Sequence, residues 1–348
     1  EFFGKEKAPW AEYSSAEELE TLVTAYALGI ERIDHADSIE RDPLLCAKLG
    51  LPKLPHKTTL SRALDRFRTE QDLVALHQIN ASVLSYMLEG PSARVMDLDT
   101  TVETVHGHQQ GTTKGYNSRY HGRKSYQPLF AFDSDSQAVL HATLRNGFSP
   151  SAQEIIAFVK TAQQAYPEDM SVTMLRADRG FASHAFFSAL EEEGIQYAIK
   201  LPMNQGVHDR MELGVHWQRI HFDGEIAIEV GTISYRAKSW NTRRRVVLVR
   251  ICRYASFGQL HLLDLWDYQA IVTNLPWPAE DIWHFYNQRC TCENTIKELK
   301  YGLGLDHIGK TKFLANAADM WLKILAYNCL LGFKQQLPEK ERRFTIAR

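Results

Sequence analysis

The sequence predicts a mixed α/β fold, a sheet with helices on its faces, preceded by a helical region and interrupted by a strand-rich segment. The first ninety residues carry helical periodicity and helix caps. From residue 91 strand and helix patterns alternate, and between 202 and 276 the pattern is mostly strand before two long helices follow.

Taken in order, Ser14 or Ser15 can cap a helix through about Leu28, with Glu17 and Glu18 in its first turn. Leu51-Pro52-Lys53-Leu54-Pro55 breaks the chain. Thr58 or Thr59 then starts a helix holding Leu60, Leu64 and Phe67, and another runs from about Gln71 to Leu88. Short helices joined by tight turns suit either a helix-turn-helix DNA reader or a bundle used for packing or dimerisation. Glu89-Gly90-Pro91-Ser92 marks a boundary, after which strands are expected over 94–105, 129–133 and 138–144. A helix over 152–164, a buried strand over 172–177 ending at Asp178, a helix over 183–193 and a strand over 196–201 complete the first half. Strands over 226–230, 232–237, 246–251 and 269–273 read as an inserted β subdomain. Asn274-Leu275-Pro276-Trp277-Pro278 ends it, and one long helix over 279–303 and another over 315–335 follow. The expected divisions are thus 1–90 (helical, DNA-binding or dimerising), 91–201 (first part of the core), 202–276 (β insertion), 277–336 (second part of the core) and 337–348 (tail).

Composition bounds the function. At 348 residues, 44% hydrophobic and 24% charged, the chain can bury a substantial core. The longest apolar stretch, 321–333, is interrupted by Lys323 and Asn328 and reads as a buried helix, so no membrane partner is expected. No charged-then-apolar leader opens the chain, and Glu1 in place of Met is what a fragment would show. Five scattered cysteines without a CxxC pair fit neither a disulfide framework nor a zinc site, and a reducing cytoplasm is the default. The net charge of −2 argues against nucleic acid until charge is read locally. The stretch 105–132 has no acidic residue but holds Lys114, Arg119, Arg123 and Lys124, with His106, His108 and His121 and with Tyr116, Tyr120 and Tyr126 among them. A second acid-free stretch, 236–253, holds Arg236, Lys238, Arg243, Arg244, Arg245, Arg250 and Arg253. Basic residues mixed with aromatics suit a groove that tracks a nucleic-acid backbone; the plainer alternative is a solvated loop and a charged hairpin.

Three acidic residues are the candidates for chemistry. Asp99 lies in the first strand, within Met96-Asp97-Leu98-Asp99-Thr100-Thr101, and Asp178 ends another, within Leu175-Arg176-Ala177-Asp178-Arg179-Gly180-Phe181. A carboxylate at a strand end, followed by a turn, is well placed to hold a metal at the edge of a sheet. Asp97 faces the same side as Asp99 and competes with it on position alone. Asp133 and Asp135, also at a strand end, read as turn residues. The long helix adds Tyr286, Arg289, Glu293 and Lys300. At about 100° per residue, Glu293 lies about 20° from Tyr286, Lys300 about 40° and Arg289 about 60°, all in the same sense, so one continuous helix would project all four from a narrow arc. Glu298 falls about 140° away, which favours Glu293. Phe285, Ile296, Leu299 and Leu303 make an adjoining apolar stripe. Without further context, Arg289 and Glu293 are equally an i, i+4 ion pair on a solvated face.

These residues resemble a family. Tyr-x2-Arg-x3-Glu-x6-Lys is the signature of a large group of bacterial insertion-sequence transposases of the DDE superfamily. Asp99-Thr100-Thr101 and Asp178-Arg179-Gly180-Phe181 are similar to that group's first and second aspartate motifs. The strand-rich stretch before Glu293 matches the family's β insertion in place and character. Val105-His106-Gly107-His108-Gln109 and the stretch 58–67 resemble the branch compared with piggyBac-type transposases. The resemblance implies a ribonuclease-H-like core in which Asp99, Asp178 and Glu293 are catalytic and hold two Mg²⁺ ions, with Mn²⁺ able to substitute. It implies hydrolysis at the transposon end, releasing a 3′-hydroxyl that attacks the opposite strand or target DNA. Tyr286, Arg289 and Lys300 would contact DNA near the cleaved end, with Lys297 on the same helix. Trp266 and Trp277 stand where some relatives stack a flipped base, or in the core. The implied partners are double-stranded DNA, as terminal inverted repeats and as target, and a second copy of the chain in a synaptic homodimer within the bacterial cytoplasm.

Gly304-Leu305-Asp306-His307-Ile308-Gly309-Lys310-Thr311 fits the phosphate-loop pattern G-x4-G-K-[ST]. That loop works between a buried strand and a helix. Here a helix precedes it, so no nucleotide is expected, although Lys310 and Lys312 remain candidates to touch DNA. Two alternatives to a cutting-and-joining enzyme stay open: a transposase-derived protein that binds DNA without cleaving it, and a nuclease of related fold that never joins strands.

Overall fold

The computed structural model describes residue 7 and residues 11–115, 120–253, 266–343 and 345. Helix α1 (Ser15–Ala27) starts at Ser14, whose hydroxyl accepts from the Glu17 amide while the Glu17 carboxylate accepts from the Ser14 amide, a reciprocal cap. Asp42 caps a short α2 (Pro43–Leu49), which the sequence reading missed; α3 (Lys57–Leu64) and α4 (Glu70–Met87) follow. Strand β1 (Ala93–Thr100) is shorter than expected, because the chain turns and continues as β2 (Glu103–Thr104) in a separate small sheet with β3 (Thr113–Lys114) and β4 (Lys124–Tyr126). Then come β5 (Leu129–Asp133), β6 (Val139–Thr143), α5 (Ala152–Gln163), β7 (Ser171–Ala177), α6 (His184–Glu192) and β8 (Gln196–Leu201).

The segment 202–276 supplies α7 (Gln205–Glu212), β9 (Gln218–Phe222), β10 (Ile226–Tyr235), β11 (Arg244–Arg253) and β12 (Trp266–Thr273). It does not make a sheet of its own. The nine strands run in the order β6-β5-β1-β7-β8-β12-β11-β10-β9, with β12 antiparallel to β8. The expected break at 231 is absent; Gly231 sits inside one ten-residue strand in register with Leu248. On the other side of β8, β6, β5 and β1 are antiparallel, and β7 and β8 add in parallel. The fold is thus mixed α/β with a ribonuclease-H-like core.

Alternation along the strands builds two cores. Val246 and Leu248 belong to one buried cluster and Val247 and Val249 to the other, so the clusters occupy opposite faces of the sheet. The larger takes in the N-terminal helices and α10 (Phe313–Gln336), against which α1 and α4 pack. Buried Asn80 on α4 and Asn328 on α10 bond each other at 2.7 Å and the main chain of Val139 and Leu140 on edge strand β6, giving partners to groups an edge would leave free. The first ninety residues therefore share a core with the sheet. No helix among the described residues is long and apolar enough to cross a membrane.

Candidate active site

Asp99 and Asp178 are neighbours by register. β1 and β7 run in parallel with Leu98 opposite Ala177, so each aspartate follows directly at the same end of adjacent strands. Asp97, the competitor, is fully buried and bound on both oxygens by Arg176, each at 2.6 Å. Asp133 is likewise buried and held by both nitrogens of an Arg94 fork at 3.0 Å, and it accepts from Ser136 across the β5–β6 turn. That leaves Asp99 as the carboxylate of its strand with reach toward solvent.

The expected long helix is two helices, α8 (Ala279–Asn287) and α9 (Cys290–Leu303). At the break the amides of Arg289, Thr291 and Cys292 bond three residues back, to Tyr286, Gln288 and Arg289. The reason is tertiary. Phe285 and Tyr286 of α8 pack in the cluster on one face of the sheet, whereas Ile296, Leu299 and Leu303 of α9 lie in the cluster on the other. One straight helix could not serve both. The carbonyl of Phe285, released by the tightened turn, accepts from Arg176 at 2.7 Å, and the same guanidinium reaches the Gln288 side chain at 3.0 Å. Arg176, which the sequence reading passed over, thus ties β1, β7 and the helix break together.

The break also corrects the shared arc. Tyr286 is buried in the apolar cluster, and burial pushes its phenol well above the ordinary range. Arg289 is only 7% exposed and points inward: its Nη1 lies 3.0 Å from Asp99 Oδ2 and its Nη2 3.5 Å from Glu293 Oε1. Burial works to lower its pKa, but the negative charges of Asp99 and Asp178 act against that, and the pKa stays high. Glu293, in the first turn of α9, is exposed. Lys300 is half-buried and donates to the Val102 carbonyl at 3.0 Å, pinning α9 to the turn after β1, while Lys297 is exposed. Burial raises the Asp99 carboxyl to about 6 against the pull of Arg289, with the Asp178 charge adding to the rise. Among the described residues, the one set of three acidic, histidine or cysteine side chains with ligand atoms all within 4.8 Å of one another is Asp37, Glu40 and His56. Asp99, Asp178 and Glu293 do not converge that closely; Asp99 and Glu293 flank the Arg289 guanidinium instead. Asp37 and Glu40 are already paired with Lys57 at 2.6 Å and Lys53 at 2.9 Å.

The two basic stretches part company. Arg244 is buried against Glu191 at 2.7 Å and stacks on Phe187 and Trp240; Arg245 donates to the carbonyls of Leu275 and Trp277. Arg250 pairs with Glu229 and lies between Trp217 and Trp266, each 4.4 Å away. These guanidiniums hold β10, β11, β12 and α6 together, whereas Arg243 is exposed. Trp277 packs on Phe285. Lys114, Arg123 and Lys124 are exposed, as are His106, His108 and His121; Arg119 and Tyr116 lie outside the described residues. Lys114 stands directly opposite Lys124 in the register, a like-charge pair that is unfavourable until an anion shares it. In the phosphate-loop pattern, Gly304 ends a helix in a left-handed conformation (φ 63°), and Lys310 is bound to Asp65 and Ser61 at 2.8 Å.

A mixed sheet in the order β6-β5-β1-β7-β8, with helices on its faces, is the ribonuclease-H-like fold. The chain belongs to the transposase DDE domain group 1 family, whose profile matches residues 3–347. No curated protein sequence matches it. Its fold is similar to that of piggyBac transposase in a synaptic complex with hairpin DNA, with a TM-score of 0.51 at 11% identity over 97% of this chain and 70% of that one. The Drosophila P element transposase strand transfer complex gives a TM-score of 0.28 at 13% identity over 56% and 38%. The Mos1 transposase paired-end complex gives 0.22 at 14% over 56% and 60%.

Proposed function

We propose that this transposase-family chain cuts and joins DNA, with Asp99, Asp178 and Glu293 as its catalytic carboxylates. The observation that carries the reading is that Asp99 and Asp178 end adjacent parallel strands and share the Arg289 charge with Glu293. The donor set suits Mg²⁺, with Mn²⁺ as a substitute: the groups are hard oxygen donors, and burial raises the Asp99 carboxyl even beside Arg289, a cost that a divalent cation would offset. Divalent ions bound there supply positive charge to the attacking and leaving oxygens of an in-line phosphodiester displacement.

The protein's own residues do the rest. The strands fix two carboxylates side by side, α9 brings the third, and Lys300 fixes α9 against the strand end. The exposed cations Lys114, Arg123, Lys124, Arg243 and Lys297 are suited to phosphates of double-stranded DNA, both terminal inverted repeats and target. In this reading a synaptic homodimer holds two ends, water opens the first phosphodiester, and the released 3′-hydroxyl attacks the second strand or the target. The test is incubation with the repeat flanking the chain's own gene, in Mg²⁺ or Mn²⁺, with the products sequenced. Wild type is expected to cut at the repeat and join the ends, and Asp178→Ala to bind the repeat without cutting it. Breaks that are never joined would favour a nuclease, and cleavage surviving in Asp178→Ala would remove that residue from the mechanism.

A further inference from the structure

One cation of the protein itself is placed against two carboxylates of this site. The buried structural arginines grip one carboxylate through two nitrogens: Arg176 on Asp97 at 2.6 Å twice, Arg94 on Asp133 at 3.0 Å twice. Arg289 is held differently. It gives one nitrogen to one oxygen of Asp99 at 3.0 Å and turns the other toward exposed Glu293 at 3.5 Å. Its charge also acts with that of Asp178. It thus lies between two of the three carboxylates that fail to converge, and at the junction of α8 and α9, where the main-chain bonds run three residues back. A guanidinium does not shed its proton, so it can leave a carboxylate only by moving. Moving a buried cation away from its partners is costly unless another oxyanion takes the fork, and a phosphate diester does so with the same two-pronged geometry.

We propose, on the reading that Asp99 is a catalytic metal ligand, that Arg289 is a built-in counter-cation. It holds the carboxylate site in the DNA-free protein and gives it up to divalent cations when a DNA phosphate takes the guanidinium. Metal loading is then coupled to DNA, and the DNA-free protein is protected from holding reactive ions. The fixed break between the helices, anchored by Arg176 on the Phe285 carbonyl, sets the pivot from which the side chain exchanges partners.

The experiment is Mn²⁺ binding to the full chain, followed by the loss of the free-ion paramagnetic resonance signal, with and without a DNA duplex carrying the flanking repeat. Wild type is expected to bind Mn²⁺ weakly alone and about tenfold or more tightly with the duplex. Arg289→Gln, which keeps the length but not the charge, is expected to bind tightly without DNA and to lose the DNA dependence. Should that variant not fold by circular dichroism, Arg289→Met takes its place, since it too keeps most of the length and removes the charge, and tighter DNA-free binding is again expected. Equal affinity in wild type and variant overturns the counter-cation role. Asp99→Asn in the Arg289→Gln background separates the two readings: if it leaves the tight binding intact, the metal is not at Asp99 and the catalytic assignment fails instead.

Discussion

Arg176 and Glu103 show how differently two buried charges can be treated in one molecule. Arg176 bonds both oxygens of Asp97, Ser134 Oγ, the Phe285 carbonyl and Gln288, and it lies 4.9 Å from the Phe285 ring. Removing it would strand a buried carboxylate and free the helix break. Arg176→Ala is therefore expected to cost about 3–5 kcal/mol in urea unfolding, and a loss below about 1 kcal/mol would show the network to be dispensable. Glu103 on β2 is buried, with no hydrogen-bond partner for either oxygen among the described residues. Burial raises its carboxyl from 4.5 to about 8; Lys300 and Lys323 oppose the rise and Asp306 and Asp319 add to it. With a folded pKa above the unfolded one, folding takes up a proton, so this group's contribution is fullest below pH 4.5 and is lost as pH rises to about 8. Glu103→Gln is expected to flatten that fall and to be the more stable form at alkaline pH. Parallel melting curves for the two proteins across the window would contradict it.

At the level of elements, α4, β6 and α10 meet over two neutral histidines. His77 and His141 stack edge to face at 5.0 Å, both against Trp321. Burial lowers His77 from 6.5 to about 4 and His141 to about 3, the second helped by the first. The unfolded chain binds the extra protons first, so this packing contributes fully above pH 6.5 and weakens as pH falls toward about 3. The urea midpoint is expected to drop between about pH 7 and about pH 5, and the drop to shrink when both histidines are replaced by leucine. An unchanged slope in the double variant would place the acid sensitivity elsewhere. The α8–α9 pair follows the same logic of context over pattern. Its two halves are each legible as helix, yet the join is set by which core each half enters.

For the whole molecule, the continuity of the sheet decides what can be removed. β12 pairs with β8 from Ala270 opposite Leu201 to Thr273 opposite Ala198, and α8 packs on the face these strands make. Replacing 202–276 by a short linker is expected to yield an insoluble chain or one without a cooperative melt, because it bares the β8 edge and one whole core. A soluble deletion with a sharp thermal transition would instead make the segment a separable insertion.

Local chemistry was enough to determine much of this protein. Ser14 with Glu17, alternation in β7 and β8, and the periodicity of α10 each specify their element with near neighbours alone, and the resemblance of the motifs around Asp99, Asp178 and Glu293 to a known family marked the candidate site. Short or polar pieces such as α2, α7 and β9 carry too little hydrophobic pattern to be seen. Only the tertiary structure decided that 202–276 extends the sheet, that Arg244 and Arg245 turn inward, and that Arg289 stands among the acids. Partner choice by a strand edge or a long charged side chain depends on groups far away in the chain, and on which of them leaves the least charge uncompensated when water is removed.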